Sequence, residues 1–557
     1  MRTQQSQHGL TVLAVAGNHV VLLGWDLAKE AIITGAILGF AIRRTRHEDG
    51  DKRWLQGLKT FAATLPQPAP GVPVSSYRHP FQTFQWADYS AEPGKTYTYR
   101  IVPVSGTPAA LVHGPAVEVT VTTERVDLGT HAVFFNRGAV GSQEYARRFQ
   151  NLKPPEVGQS AYDWLSRGLV EGLESFIGQA GAGDALLGAF FEFKSTRIYA
   201  ALLAARSRGA TVAILYDGDS QRGANEAAME GQGLDGMVKP RTRSGGFAHN
   251  KFLVLSRGGQ ASEVWTGSTN LSENGVYGHS NNAHLVRDGA IADKYARYWH
   301  ILDEDRTKQP TALADEALSP LPAPGAGGEI EAVFSPRRSL DALDAYAAIA
   351  GGATRAVFMT FAFGMNDLFV PSFDRTDHVI RFALMEKKGN GATFAQQAAV
   401  IDRIRRRPNV TVAVGHHIEI NRFDRWLAEL DRIVGEAHVL YVHTKYMLVD
   451  PLGEQPMVIV GSANFSAAST LDNDENMLVI RGNAAVADIY LGEFMRLFSH
   501  YAFRESLTFS GATTPAQALL RKYLVDSPSW IEGQGRGDGY FDAGSDRALR
   551  RIYFSGQ

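Results

Sequence analysis

At two places the chain sets a histidine and a lysine one residue apart, a combination that can perform acid–base and nucleophilic chemistry. His249 and His443 each begin the pattern His-x-Lys followed by a short apolar run. Each copy reaches a Gly-Ser-x-Asn tetrapeptide 18 residues after its histidine, beginning at Gly267 and Gly461. Two unrelated loops would rarely agree so closely, so the sequence predicts a duplicated structural unit.

The spacing of these side chains suits a phosphodiester substrate. On an extended strand side chains alternate between faces, so each histidine is predicted to lie beside the lysine two residues on. Two such strands related by a pseudo-twofold axis would surround one pocket with two imidazoles and two ammonium groups. A neutral imidazole could attack phosphorus, a protonated one could give its proton to the departing oxygen, and the lysines would neutralise the transition state. Asn and Ser side chains could hold the phosphoryl oxygens without a metal ion.

The segments around the motifs predict an α/β arrangement. From residue 127 onward, strand-like segments alternate with helical ones, as in βαβ units. The same order repeats after a Pro- and Gly-rich connector that begins at Ser319. We therefore predict a first half over residues 127–325, a second half over 326–508 and a C-terminal tail over 509–557. The tail contains Gly-rich loops and aromatic residues, and a packed tail is favoured over a lid above the cleft.

Residues 1–126 have a different pattern, with short β-rich runs separated by turns. A Pro-Gly turn precedes alternating Tyr97, Tyr99 and Ile101, and a last strand of alternating valines follows. This pattern resembles the end of an immunoglobulin or fibronectin type III-like sandwich. Residues 1–126 are therefore predicted to form an all-β domain, of a kind that more often positions or binds than catalyses.

Composition limits the classes of protein to which the chain can belong. Its 557 residues predict roughly three or four domains. The 56 Lys plus Arg and 58 Asp plus Glu residues give no overall basic surface, and the lack of cysteine excludes disulfides and thiolate chemistry. The apolar stretch at 31–42 is about half the roughly 20 residues that a membrane-spanning helix needs.

The first residues loosely resemble a secretory signal, but their apolar core is short and a second β-rich run follows at once. A β-hairpin is the favoured interpretation. We expect a cytoplasmic protein, or a secreted one without a clear signal peptide.

The pattern His-x-Lys-x4-Asp followed by Gly-Ser-x-Asn, present twice, resembles the phospholipase D superfamily over roughly residues 130–505. The resemblance implies two similar phospholipase D-like α/β halves that form one catalytic unit, here preceded by the all-β domain. It also implies metal-independent hydrolysis or transfer of phosphodiesters through a phosphohistidine intermediate, without a cofactor.

The resemblance also implies roles for particular residues. Both histidines act, one as nucleophile and the other as general acid and base, while the lysines bind phosphate and the motif Asn and Ser residues complete a phosphate cage. These residues are His249, His443, Lys251, Lys445, Asn270, Asn464, Ser268 and Ser462.

The two copies differ in their carboxylates. Asp450 fills the aspartate position of the second copy, and Glu475 follows its Gly-Ser-x-Asn, whereas the first copy has Ser256 and a stretch "NAH" that ends at His284. A carboxylate partner sets the tautomer of a histidine and raises its pKa. The histidine of the second copy is therefore expected to be the more basic one and to serve as acid and base.

That assignment leaves His249 as the nucleophile. Its half lacks both carboxylates, and Glu192, near the end of a predicted strand, is a candidate replacement partner. A surface position for Glu192 is the alternative.

The substrate is less well determined than the chemistry. Phe- and Met-rich stretches at 188–193 and 357–365 are compatible with an acyl-lined approach, and also with buried core strands. Basic segments at 41–46 and 239–247 would suit a nucleic acid. The near-neutral charge favours a phospholipase D-type phosphodiesterase acting on phospholipids, with a membrane surface as a candidate partner. A nuclease and a degenerate, non-catalytic binding protein remain the alternatives.

Overall fold

A computed structural model describes residues 1–68, 72–138, 142–150, 152–242, 245–322, 328–388, 393–415, 442–508, 523–533 and 537–557. These parts form a mixed α/β structure, with antiparallel sheets near the N terminus and two seven-stranded sheets further along the chain.

The described part of residues 2–122 forms two larger antiparallel sheets around a common core, and a separate two-stranded sheet that joins Gln56–Gly57 to Val74–Ser75. Their strands are β1 (Arg2–Gln7), β2 (Leu10–Ala16), β3 (Val21–Leu27), β4 (Gly39–Arg46), β5 (Lys52–Trp54), β6 (Gln56–Gly57), β7 (Val74–Ser75), β8 (Gln85–Asp88), β9 (Thr96–Thr107), β10 (Ala110–His113) and β11 (Val117–Thr122), with helix α1 (Lys29–Thr34) after β3. The sheet orders are β1-β2-β3-β8 and β10-β9-β4-β5, and β11 also pairs with β9. Alternate residues of β11 point inward and pack with Trp25 of the other sheet. The region is β-rich as the sequence indicates, and its relation to immunoglobulin-like sandwiches stays a prediction.

The first α/β half follows. Its strands are β12 (His131–Phe135), β13 (Ala185–Phe190), β14 (Thr211–Asp217), β15 (Val238–Arg241), β16 (Lys251–Arg257), β17 (Gln260–Gly267) and β18 (Asn282–Val286). Its helices are α2 (Ser142–Phe149), α3 (Pro154–Val157), α4 (Gln159–Ser166), α5 (Leu169–Gly178), α6 (Thr196–Ser207), α7 (Arg222–Met229), α8 (Gly289–Asp303) and α9 (Lys308–Leu318), with a π-helical turn at Asn274–Gly278. The sheet order is β12-β18-β17-β16-β13-β14-β15, and β13, β14 and β15 run parallel to one another.

The second half has corresponding elements. Its strands are β19 (Ile330–Ser335), β20 (Ala356–Phe361), β21 (Ile380–Met385), β22 (Val410–Val414), β23 (Tyr446–Val449), β24 (Met457–Gly461) and β25 (Glu475–Arg481). Its helices are α10 (Asp341–Gly351), α11 (Val370–Phe373), α12 (Phe394–Ile404), α13 (Ala467–Leu471) and α14 (Ala484–Thr508), with a 3₁₀ turn at Asp367–Phe369. The sheet order is β19-β25-β24-β23-β20-β21-β22.

The two seven-stranded sheets have the same topology. Each strand from β12 to β18 occupies the position that the strand seven numbers later occupies in the second sheet. One hydrophobic core contains Phe252 of the first sheet, Leu448 of the second, Tyr295 of α8 and Phe494 of α14. Because this core joins both sheets, the ends of their central strands are held in a fixed relation.

The described part of the C-terminal segment packs against the N-terminal domain. A 3₁₀ turn at Pro528–Glu532 places Trp530 in the same core as Trp25. Helix α15 (Asp546–Ser555) lies so close to β3 that a side chain at Gly24 would overlap the Phe554 carbonyl group. The segment thus completes the N-terminal domain. None of the helices in the described ranges is long and apolar enough to cross a membrane.

Candidate active site

The two motifs meet between the halves. β16 begins at Lys251 and β23 at Tyr446, so His249 and His443 stand just ahead of equivalent central strands. The two histidines are only 8% and 4% exposed. They lie close enough for the positive charges of Lys251 and His249 to lower the pKa of His443. The structure therefore brings the sequence-predicted histidines and lysines into one buried site.

Each histidine takes its hydrogen-bond partner from the other half. The His249 Nδ1 atom lies 2.9 Å from both carboxylate oxygens of Glu475. The His443 Nδ1 atom lies 2.8 Å from Oδ1 of Asn281. The expectation that Glu475 serves the histidine of its own half is therefore wrong, because the pseudo-twofold arrangement crosses the partners over.

The strand register identifies Asn281, and not His284, as the counterpart of Glu475. Gly267 pairs with Ala283, and Gly461 pairs with Met477, so the residues two positions earlier are Asn281 and Glu475. Both positions lie 11 residues after the asparagine of their motif, so this equivalence could have been read from the sequence. The predicted alignment of "NAH" with "NDE" was shifted by three residues.

The hydrogen bonds define which imidazole nitrogen is available for chemistry. A carboxylate only accepts, so His249 donates its Nδ1–H to Glu475 and keeps a lone pair on Nε2. The Nδ2 group of Asn281 donates to the carbonyl of Gly275 at 2.7 Å, which turns its Oδ1 toward the second histidine. His443 therefore also carries its proton on Nδ1, and both Nε2 atoms are left for the substrate.

Burial governs the electrostatics of the site. It lowers the pKa of Lys251 to about 8, against the raising effect of Glu475. Burial and the charge of Lys251 hold the pKa of Lys445 well below its usual range. Burial also lowers the pKa of both histidines, but Glu475 raises that of His249, whereas Lys445 lowers that of His443 further. His443 is therefore the less basic histidine, opposite to the expectation from the sequence.

The lysine ammonium groups are held by the main chain. The Lys251 Nζ atom donates to the His249 carbonyl at 2.6 Å, and Lys445 donates in the same way to His443. Two ammonium groups in a buried site call for an anion, because the charged forms are otherwise disfavoured there. The site is thus suited to a phosphate group.

The two motif asparagines differ from the two motif serines. The side-chain Oδ1 atoms of Asn270 and Asn464 are buried and have no hydrogen-bond partner within the described residues. Ser268 instead donates to Asn281 Oδ1 and accepts from the Asn282 N–H, whereas Ser462 donates to the Asn476 carbonyl and accepts from the Asn476 N–H. The Nδ2 groups of the asparagines remain candidates for the phosphate cage, because an amide oxygen only accepts. The serines hold the strands that carry the histidine partners, and their predicted phosphate contact stays a prediction.

Within the described ranges, the other two predicted orienting carboxylates, Asp450 and Glu192, have partners other than the histidines. Asp450 accepts from the backbone N–H groups of Thr354, Arg355 and Ala356 and fixes the start of β20. Its predicted role at the imidazole is therefore wrong. Glu192 lies near the site, where its charge raises the pKa of Lys251, and its carboxylate faces Lys194 at 3.7 Å.

A matching pair of carboxylates positions the residues just before the histidines. Asp217 ends β14 and accepts from the N–H of Ala248 at 3.1 Å. Glu386 follows β21 and accepts from the N–H of Val442 at 2.8 Å. The sequence alone did not single out either carboxylate, although Asp217 ends and Glu386 directly follows equivalent strands of the repeat.

An ion pair between the halves supports the His249 side. Arg241 of β15 and Asp474 are both fully buried, and the Arg241 Nε atom lies 3.1 Å from the Asp474 carboxylate. The Asp474 carbonyl accepts from the N–H of His249 at 3.1 Å. This contact holds the histidine beside Glu475, the next residue along. Arg241 belongs to a basic segment that was a candidate for binding nucleic acid, but its side chain is buried.

A third histidine lies beside His443. The ring of His279 is 5.3 Å from that of His443, and a positive charge on it would lower the pKa of His443. His279 directly follows the π-helical turn at Asn274–Gly278, and its carbonyl accepts from Asn136 at 2.7 Å. No motif in the sequence identified His279.

Comparison with known families agrees with this geometry. The family described as "cardiolipin synthase, PLD-like domain" matches residues 173–301 and 399–498, which include both His-x-Lys motifs. These two segments of the chain belong to the phospholipase D superfamily. No curated protein matches it significantly.

Several solved structures match parts of the chain at low identity and low TM-score. Polyphosphate kinase from Porphyromonas gingivalis is 13% identical, with 57% of this chain and 43% of that chain covered and a TM-score of 0.37. Phosphatidylserine synthase from Haemophilus influenzae is 10% identical, with 65% and 94% covered and a TM-score of 0.41. The phospholipase D family member Nuc from Salmonella typhimurium is 18% identical, with 31% and 94% covered and a TM-score of 0.22. This chain thus spans less than half of the polyphosphate kinase and nearly all of the other two.

Proposed function

We propose that the protein is a phosphodiesterase of the phospholipase D type that acts without a metal ion through a phosphohistidine on His249. The observation that carries this proposal is the crossed pairing of two buried histidines, one with a carboxylate and the other with a neutral amide. The carboxylate stabilises the positive charge that develops on an imidazole when it attacks phosphorus. The amide leaves its histidine free to lose a proton.

In the first step, His249 Nε2 forms a bond to phosphorus while the bond from phosphorus to the leaving oxygen breaks. His443 Nε2 gives its proton to that oxygen. The anionic substrate adds negative charge beside His443, so it favours the protonated form of this histidine. Lys251 and Lys445 balance the charge on the phosphoryl oxygens, which the amide groups of Asn270 and Asn464 help to hold.

In the second step, His443 takes a proton from water, the water oxygen bonds to phosphorus, and the bond from phosphorus to Nε2 of His249 breaks. An alcohol in place of water would give transfer of the same group. The cycle returns both histidines to their starting protonation states.

We infer a phospholipid substrate, with nucleic acid as the alternative. The description of the matching family names cardiolipin synthase, and cardiolipin is a phospholipid. The basic segments that would suit nucleic acid are largely engaged: Arg241 and Arg44 are buried in ion pairs, and Arg46 pairs with Asp49 and Glu92. Among the described residues of the two segments, these cations are therefore paired and do not form a row that is available to a phosphate backbone.

The test compares three substrates in the presence of a chelator: phosphatidylcholine vesicles, single-stranded DNA and a chromogenic bis-aryl phosphodiester. We expect the wild type to hydrolyse the lipid and the aryl ester, and both His249→Ala and His443→Ala to abolish lipid turnover. His47→Ala, an exposed histidine of the N-terminal domain, is the matched control. Preference for DNA would support the nuclease, and no turnover of any substrate would favour a non-catalytic binding protein.

A further inference from the structure

An aromatic ring is held in solvent two residues before His249. The side chain of Phe247 is 46% exposed. Its N–H donates to Asn473 Oδ1 at 3.1 Å, and its carbonyl accepts from the N–H of Asp474 at 2.9 Å. Gly246 packs so closely on the carbonyl of Asp472 that a Cβ there would lie 2.1 Å from the oxygen. The backbone at Phe247 is therefore fixed, although its ring faces water.

A second ring connects Phe247 to the reacting groups. The Phe191 ring lies 5.9 Å from that of Phe247 and 4.8 Å from the His249 imidazole, measured between centroids. The Lys251 ammonium lies 5.2 Å from the Phe191 ring. A single exposed apolar side chain is ordinary, but here two neighbouring rings lead from the histidine and lysine of the site to the solvent.

The position of this surface decides which part of the substrate it contacts. In displacement at phosphorus, the attacking and leaving atoms lie roughly in line, so the leaving oxygen departs on the side opposite His249. Groups beside His249 therefore face the ester group that stays on phosphorus. Phe191 and Phe247 lie on that side.

The chemistry near Phe247 favours an apolar chain over a nucleobase. Asn473 uses its Oδ1 on the Phe247 N–H and its Nδ2 on Glu475 at 3.3 Å. The Phe247 carbonyl is likewise bonded. These groups are thus engaged and do not read the hydrogen-bonding edge of a base.

We propose that Phe191 and Phe247 bind the apolar part of the ester group that remains on phosphorus during formation of the phosphohistidine, and so select substrates whose retained group carries a hydrocarbon chain. This inference rests on the proposed function and specifies it further. It assigns substrate selection to the His249 side of the site.

The test uses three diesters that share p-nitrophenolate as the leaving group and differ in the retained group: methyl, decyl or thymidine 5′-yl. We expect Phe247→Ala to lower kcat/KM by about 10-fold for the decyl ester and by less than about 2-fold for the methyl ester. Phe247→Leu should restore most of the decyl activity, because a leucine keeps the apolar surface. Val112→Ala, which alters an exposed apolar residue of the N-terminal domain, should change neither.

Equal losses on the methyl and decyl esters would overturn the inference and leave the proposed function intact. A loss confined to the thymidine ester would also overturn it, in favour of base stacking. Absence of turnover of every ester by the wild type would overturn both the inference and the proposed function.

Discussion

The two halves of the site share a fold, but they supply different hydrogen-bond acceptors to the two histidines. Asn281 and Glu475 occupy equivalent positions. The neutral amide of Asn281 bonds His443, whereas the carboxylate of Glu475 bonds His249. The supporting contacts around them are alike, since Asp217 and Glu386 hold the residue before each histidine. Duplication thus supplies two equivalently placed imidazoles. The exchange of Glu475 and Asn281 across the interface distinguishes them, together with His279 beside His443 and the Arg241–Asp474 pair beside His249.

The largest effect is expected from removing the carboxylate. Glu475→Gln keeps a hydrogen-bond acceptor but loses the charge that stabilises the His249 imidazolium, so kcat should fall by about 10²–10⁴-fold. Asn281→Asp adds a carboxylate to the other histidine. It should raise the pKa of His443 and move the alkaline limb of the kcat profile upward, with a smaller change in kcat. Steady-state kinetics across pH measure both, and similar losses in the two variants would remove the proposed difference between the halves.

The ion pair on the His249 side should matter for both stability and rate. Arg241→Met removes the ion pair of the buried Asp474 carboxylate, which should lower the free energy of unfolding by about 3 kcal/mol or more. Denaturant unfolding measures this loss. If Arg241 positions His249, the folded variant should also show a lower kcat with little change in KM. The double variant Arg241→Met/Asp474→Asn also removes the buried negative charge of Asp474. It should recover stability without recovering kcat. Recovery of both would assign the ion pair a purely structural role.

Phosphate binding should weaken as pH rises through the pKa of Lys251. Burial lowers that pKa to about 8, so the ammonium is charged below that pH and neutral above it. Loss of a charged donor should lower kcat/KM by about 10-fold on the alkaline side. Lys251→Arg keeps its charge at alkaline pH, so this limb should disappear from its kcat/KM profile. An unchanged limb in that variant would assign the titration to another group.

The smallest effect is expected at Asp450. Its carboxylate bonds three backbone N–H groups at the start of β20 and does not contact His443. Asp450→Asn should therefore lower stability by about 1–2 kcal/mol and leave kcat within about 2-fold of the wild type. A large loss of kcat without loss of stability would restore the orienting role that the motif suggested.

The sequence predicted the repeat well because its spacing is local. The His-x-Lys and Gly-Ser-x-Asn motifs identify His249 and His443, which lie just ahead of equivalent strands and not on them as predicted. The alternation of strands and helices follows from hydrophobic periodicity. The crossed partners depend on how two separate sheets face each other, which no local pattern encodes. The same limit applies to Arg241, whose charge in the sequence suggested the surface, and to the C-terminal segment, which folds back onto the N-terminal domain.

The most direct measurement identifies the histidine that carries the phosphoryl group. In His443→Ala, an aryl phosphodiester can still react, because p-nitrophenolate departs without a proton, and the intermediate should accumulate because no base activates water. Rapid tryptic digestion at alkaline pH should place an acid-labile phosphoryl group on peptide 244–251, whose one histidine is His249. A label on another peptide, or the same labelling in His249→Ala, would contradict the assignment of His249 as the nucleophile.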